Sequence, residues 1–207
     1  MYRPCLVLMA CTLACISSAL VAIAGPISAG AIFLDKSKVE PAALAGITAA
    51  HNAIRARVGV KMPPLSWNAQ LAASAQAWAN QCVDATSPKG LIDHNPKRSV
   101  GFPWYVGENI YASSGTATAK GAVLSWASEQ QNYDYSRNTC KGACGHYTQL
   151  VWAKSVFLGC AISSCPHLRF SSSIVCDYAP GGNSGGRPYW LLWHDRRAPP
   201  IQNPGSQ

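Results

Sequence analysis

Apolar side chains recur along this chain at two different periods. From Pro41 onward, Leu44, Ile47, Ile54 and Val58 fall at helical spacing on one face. The pattern predicts a helix opened by Pro41, a residue well suited to a first helical position. Pro63-Pro64 ends that register. Asn68 then offers an N-cap to a second helix, whose stripe is Leu71, Ala75, Trp78 and Cys82. Pro88, Gly90, Pro96, Gly101 and Pro103 interrupt residues 83–106, which read as one long loop. A third helix is predicted over residues 116–135, where Trp126, Glu129 and Tyr133 share a face. A short helix over 145–152 precedes two strand-like runs, 157–164 and 172–178. Helices and strands mixed in this order predict an α+β layered domain.

The two ends of the chain stand outside this pattern. Residues 1–30 carry one cation, Arg3, then a long apolar run and small residues around Ala22, Ala24 and Ala29. This reads as a secretory signal peptide cut after Ala24. An uncleaved membrane anchor is one alternative, and lipidation at Cys11 after Leu8-Met9-Ala10 is another. No later segment is apolar for long enough to span a bilayer. Residues 25–43 read as a leader, 44–189 as the domain and 190–207 as a tail.

Cysteine usage agrees with export. Of nine cysteines, Cys5, Cys11 and Cys15 fall in the signal segment. Cys82, Cys140, Cys144, Cys160, Cys165 and Cys176 remain, and an even number in an exported chain predicts three disulfides. Spacing alone leaves every pairing open. No CxxC pair occurs, which argues against cysteine-ligated zinc. The formal charge of +8 favours anionic partners such as a membrane surface or cell-wall polymer. The cations are scattered, so nucleic acid is not an expected partner.

Four segments carry a family resemblance: HNAIR (51–55), GENIY (107–111), CGHYTQLVW (144–152) and IVCDYAPGGN (174–183). In this order they resemble the signature set of the CAP superfamily. That superfamily includes venom allergens, cysteine-rich secretory proteins and plant pathogenesis-related class 1 proteins. The stretch NTCKGACGHYTQLVW is most similar to the plant branch. The resemblance implies a three-layer α-β-α sandwich stabilised by the disulfides Cys82–Cys165, Cys140–Cys144 and Cys160–Cys176. Two features depart from the family pattern. The insertion VDATSPKGLID separates His94 from Cys82, and WLLWHDRRAPP runs past the usual domain end.

Beyond the signal segment only three glutamates occur: Glu40, Glu108 and Glu129. The resemblance implies that His94, Glu108, Glu129 and His146 converge in a central cleft. Imidazole binds divalent transition metals, and a nearby carboxylate orients it. His94 and His146 are therefore expected to hold Zn²⁺ or another divalent cation, with Glu108 and Glu129 supporting them and Tyr147 and Gln149 lining the cleft. The competing reading is a buried hydrogen-bonded network that only holds the core together. His51, Asn52 and Arg55 are read as structural, Trp152 as core, and His167 and His194 as exposed. Phe102, Trp104 and Tyr105 either form an apolar mouth or lie buried under their loop.

Two enzyme readings compete with binding. TAAH (48–51) and NSGG (183–186) resemble the histidine and serine segments of trypsin-like proteases. The chain between them reads helical, Asn183 stands where an Asp belongs, and the CAP motifs account for both segments. No HExxH motif is present. The expectation is a secreted, extracellular, monomeric binding protein with no catalytic residue. Its ligand would be a sterol, lipid or other apolar small molecule, or a divalent metal. Its role would lie in defence, antimicrobial action or host interaction, or in signalling through a protein partner. The alternative is a metal-assisted peptidase using the His/Glu tetrad.

Overall fold

A four-stranded sheet separates two helical layers in the computed structural model, which describes residues 39–191. The predicted signal peptide, most of the leader and the tail from residue 192, His194 included, lie outside the described residues. In chain order the elements are α1 (Ile47–Arg57), β1 (Ser66–Trp67), α2 (Ala69–Ala79), β2 (Gly107–Ser113), α3 (Ala119–Ser128), β3 (Tyr133–Asp134), β4 (Thr139–Cys140), α4 (Gly145–Leu150), β5 (Phe157–Ser164) and β6 (Ser172–Ala179). The main sheet runs β1-β5-β6-β2, and β3 and β4 form a separate hairpin. β5–β6 and β6–β2 are antiparallel, whereas β1 joins β5 in parallel.

Successive residues of a strand point to opposite faces, so each face collects its own core. Ile174, Cys176 and Tyr178 of β6 join Leu44, Ile47, Trp126, Tyr147 and Leu150 in the larger cluster, under α1, α3 and α4. Val175 packs instead with Ala75, Ala79, Ile92 and Ala161 under α2. The approach of α2 is close because Gly159 lies beneath it, where a Cβ would overlap the Ala72 backbone and the Leu71 side chain. Asn68 caps α2 as predicted, its side chain accepting from the Leu71 amide at 3.0 Å.

The three disulfides are those the resemblance implies. Cys82–Cys165 joins the chain just after α2 to the chain just after β5, across 83 residues. A loop of that length contributes about 4 kcal/mol of chain-entropy stabilisation. Cys160–Cys176 links directly opposed residues of β5 and β6.

Two predicted helix boundaries shift, each for a physical reason. Pro41 opens only a short 3-10 turn, Ala42–Leu44; the left-handed Gly46 (φ 84°) breaks it and α1 starts at Ile47. The Glu40 carboxylate, assigned to the leader, accepts from the Gly46 and Thr48 amides at 2.6 and 2.8 Å and so closes the start of α1. The third helix stops at Ser128, and Glu129–Asn132 forms a 3-10 turn leading into β3. Residues i and i+3 stay aligned in such a turn, so the apolar spacing runs on past the end of the helix. Residues 107–113, read only as a motif, form the edge strand β2.

His51, Asn52 and Arg55 are structural, as expected, but Arg55 reaches much further than its own neighbourhood. It is 2% exposed and donates to the carbonyls of Leu150, Trp152, Pro63 and Ser155 at 2.7–3.1 Å. Asn52 exchanges two hydrogen bonds with the Leu65 backbone. His51 is fully buried, with Nδ1 on the Ile47 carbonyl and Nε2 on the Tyr178 hydroxyl, both at 2.8 Å. Burial, helped by Arg55, lowers its pKa to about 4, so the ring is neutral. A buried ring with both nitrogens engaged cannot serve the exposed Ser184 as a base. Trp152 is buried and His167 exposed, as expected.

Candidate functional site

Edge strand β2 forms the floor of a cleft of about 470 Å³. One wall is the inserted loop, including Pro88 and Leu91; the other is the α3 to α4 region, including Trp126. The insertion is a built element. Asp93 accepts from the Ala85 and Thr86 amides and the Thr86 hydroxyl at 2.5–3.0 Å, and Asp84 accepts from the Gly90 amide at 2.8 Å. These bonds fold the insertion into a compact turn, and the Gly90 carbonyl fixes it to Phe170 at 2.8 Å. His94 therefore reaches the cleft despite its distance in sequence from Cys82.

The four predicted residues form two His–Glu pairs. His94 Nδ1 lies 2.6 Å from Glu108 Oε1, which also accepts from the Asn95 amide at 3.0 Å. His146 Nδ1 lies 2.6 Å from Glu129 Oε1. Glu129 Oε2 takes the amides of His146 and Tyr147 at 2.9 and 3.3 Å, so one carboxylate both orients a ring and closes the first turn of α4. The indole of Trp126 stacks on His146 at 6.4 Å between centroids. It also donates to the Ile110 carbonyl of β2 at 3.1 Å, which fixes the shared wall to the floor. In each neutral ring a donating Nδ1–H leaves the lone pair on Nε2, the arrangement that second-shell carboxylates impose on metal-binding imidazoles.

His94, His146 and Glu129 all line this cleft. Glu108 is buried behind His94. Tyr147 and Gln149, expected to line the cleft, do not. Both are 1% exposed; Tyr147 belongs to the larger core, and Gln149 Oε1 accepts from the Gly182 amide at 2.8 Å. Consecutive helix residues point in different directions, so Tyr147 enters the core while His146 faces the cleft, and Gln149, one turn on from His146, turns inward to the Gly182 amide. Phe102, Trp104 and Tyr105 are not at the mouth of this cleft. Phe102 packs partly buried beside Leu71, Val106 and Phe157, while Trp104 and Tyr105 are exposed.

One buried acid escaped the sequence reading. Asp177 in β6 sits directly opposite Glu108 in β2, fully buried. Neither of its oxygens has a hydrogen bond of good geometry, and Glu108 Oε2 also lacks one. Burial first, then the Glu108 carboxylate, push the Asp177 carboxyl well above the ordinary range, against Arg98 and the Ser74 hydroxyl. The signal was an acid inside an apolar strand pattern.

The donor set limits what metal could be held. Among the described residues no three His, Cys, Asp or Glu side chains gather with metal-binding geometry. That does not fit a closed structural zinc centre, which takes four protein ligands. Two imidazoles could supply only part of an open site, with the other positions left to water or ligand.

Taken together, the fold and site define a disulfide-stapled α-β-α domain with paired His–Glu groups in one cleft. Residues 48–178 match the cysteine-rich secretory protein family, CAP, and the chain belongs to that family. GLIPR1-like protein 1 of Mus musculus is 39% identical over 151 residues, 67% of this chain and 60% of that protein. The chain thus spans less than two thirds of that relative. Pathogenesis-related protein 1 of Arabidopsis thaliana is 43% identical over 141 residues, 68% of this chain and 78% of that protein. Among solved structures, Schistosoma mansoni venom allergen-like protein 4 matches with a TM-score of 0.62 and 27% identity, covering 74% of this chain and 97% of that one. NaASP2, solved with Zn²⁺, matches with a TM-score of 0.55 and 27% identity, covering 75% and 88%.

Proposed function

We propose that this protein is an extracellular binding protein whose cleft takes a sterol or other apolar small molecule, with a divalent cation at its polar end. The observation that carries this reading is the composition of the cleft. Leu91, Ile92, Ile110, Trp126 and Phe170 supply apolar wall, while His94 and His146 line it with Nδ1 engaged by Glu108 and Glu129, which leaves each Nε2 for a ligand. Zn²⁺ would be held by those two nitrogens, and a bound ion would supply a Lewis-acid centre. Glu108 and Glu129 would fix the rings. Similarity to a relative solved with Zn²⁺ supports the cation. Three disulfides support an extracellular setting. The plant relative named for pathogenesis supports a role in defence or host interaction.

Metal-assisted hydrolysis is the weaker reading. It needs a carboxylate free to take a proton from water. Glu129 already accepts three hydrogen bonds, and Glu108 is buried behind His94.

Calorimetric titration of the oxidised protein with Zn²⁺ is the first test, beside His94→Ala and His146→Ala. Binding is expected in the wild type and lost in both variants. Glu129→Gln should weaken it by about 10- to 100-fold, the usual effect of losing a second-shell partner. Saturable uptake of a fluorescent sterol tests the apolar part. No zinc binding and no sterol uptake would reduce the tetrad to a structural network. Peptide turnover abolished by chelation and by Glu129→Gln would favour the hydrolase instead.

A further inference from the structure

The loop after His94 carries a second surface, separate from the cleft. Seven large apolar residues are exposed among the described residues, and three of them, Val100, Trp104 and Tyr105, lie within six positions. Val100 is 74% exposed, Trp104 38% and Tyr105 46%. None of the three lines the cleft.

This projection is rigid. Val100 and Phe102 donate to the carbonyls of Lys97 and Ser99, and the Val106 amide donates to the Ser99 hydroxyl. Arg98 donates to the carbonyls of Asn95 and Val106 and to the Tyr105 hydroxyl at 2.9–3.0 Å, with its guanidinium over the Tyr105 ring. The Gly181 amide ties the Tyr105 carbonyl to the end of the sheet at 2.6 Å. Trp104 leans on Phe157 at 5.8 Å. A platform held this firmly loses little conformational entropy when it docks.

Its chemistry points to one kind of partner. Residues 95–107 contain Lys97 and Arg98 and no acid, in a chain of net charge +8. Glu108, which contacts the start of the loop, is buried. Trp and Tyr are the side chains that settle at the headgroup level of a bilayer, and flanking cations are drawn to anionic lipid. Three protruding side chains make too small a patch for a stable protein interface, which buries about 800 Å² per partner.

We infer that Val100, Trp104 and Tyr105, flanked by Lys97 and Arg98, form an interfacial platform that docks this protein reversibly on anionic lipid membranes. Apolar insertion and cation attraction are each weak alone, and the pair gives salt-sensitive, reversible attachment. In this orientation the domain would deliver or collect a cleft ligand at a bilayer. That last role rests on the lipid reading of the cleft; docking itself does not.

The test is co-sedimentation of the oxidised protein with vesicles of equal parts phosphatidylcholine and phosphatidylserine, against phosphatidylcholine alone. Val100→Asp and Lys97→Glu alter exposed side chains and should each lower partitioning by about tenfold or more. Leu124→Asp, at an exposed apolar site on α3, should leave it unchanged. Raised salt should release the wild type. Trp104→Phe should remove any fluorescence quenching caused by brominated lipid. Sterol uptake by Val100→Asp without vesicles is expected to match the wild type, which separates failure of docking from failure of the cleft reading. Absence of wild-type binding to the anionic vesicles would overturn the inference. So would equal loss in Val100→Asp and Leu124→Asp. Binding to intact cells that protease treatment of those cells abolishes, without vesicle binding, would assign the platform to a protein and overturn it too.

Discussion

Two buried polar groups lie back to back across one sheet, and they are finished to different degrees. On the side of α1, α3 and α4, His51, Tyr178 and Asn109 bond to one another, and His51, Asn109 and Arg55 also bond to backbone carbonyls. Only Arg55 Nε and the Thr48 hydroxyl on α1 stay unmatched. On the side of α2, both oxygens of Asp177 and one of Glu108 lack a hydrogen bond of good geometry. The two groups are built from adjacent residues, Tyr178 beside Asp177 and Asn109 beside Glu108, which strand geometry sends to opposite faces. The completed group holds the core, and the incomplete one stands directly behind His94. Unmatched polar atoms in a well-packed protein mark the region where packing is not the sole constraint.

The sharpest way to break this contrast is Arg55→Leu. It orphans carbonyls on three segments at once, at 63, 150–152 and 155, and should destabilise the fold by at least about 4 kcal/mol in denaturant titration. A loss below about 1 kcal/mol would show that water replaces the guanidinium and that the group is not a keystone.

Smaller effects come from pH, and the two faces should respond with opposite signs. The His51 pKa is lowered from 6.5 to about 4 in the fold. Above 6.5 both states are neutral and its contribution is complete. As pH falls from 6.5 toward about 4, the unfolded chain takes the proton first and about 3 kcal/mol is lost. His51→Gln should flatten that acid limb in a series of melting curves. Asp177 has a raised pKa, so its contribution is complete below the ordinary carboxylate range and declines as pH rises. Asp177→Asn should therefore stabilise the protein at neutral pH by about 1–2 kcal/mol, with no gain in strong acid. A destabilised Asn variant at neutral pH would mean that the carboxylate has a partner after all.

The uneven legibility of the chain follows from the same physics. α2 was readable because it buries one face and its apolar period survives. β5 and β6 were readable as short apolar runs, since both of their faces are buried. β1 is two residues long and exists only through its pairing with β5. β2 shows no alternation because its first four residues are all buried: the sheet edge is covered by Trp126 and by the loop that carries His94. The His–Glu pairs came from the family resemblance and not from periodicity, since Glu108 and His94 meet through a loop whose path no local rule predicts. Tyr147 and Gln149 were misplaced for the opposite reason. They share a motif with His146, but Tyr147 points away from it into the core and Gln149 is drawn inward by the Gly182 amide.

Trp126 has a further consequence. A sheet edge with unpaired amides and carbonyls invites another chain to add a strand, the first step toward aggregation. Here one edge is a two-residue strand, and the other lies under an indole that already occupies the Ile110 carbonyl. The side chains that shape the cleft thus also keep neighbouring molecules from zipping onto β2. Opening the cleft by trimming Trp126 would expose an adhesive edge.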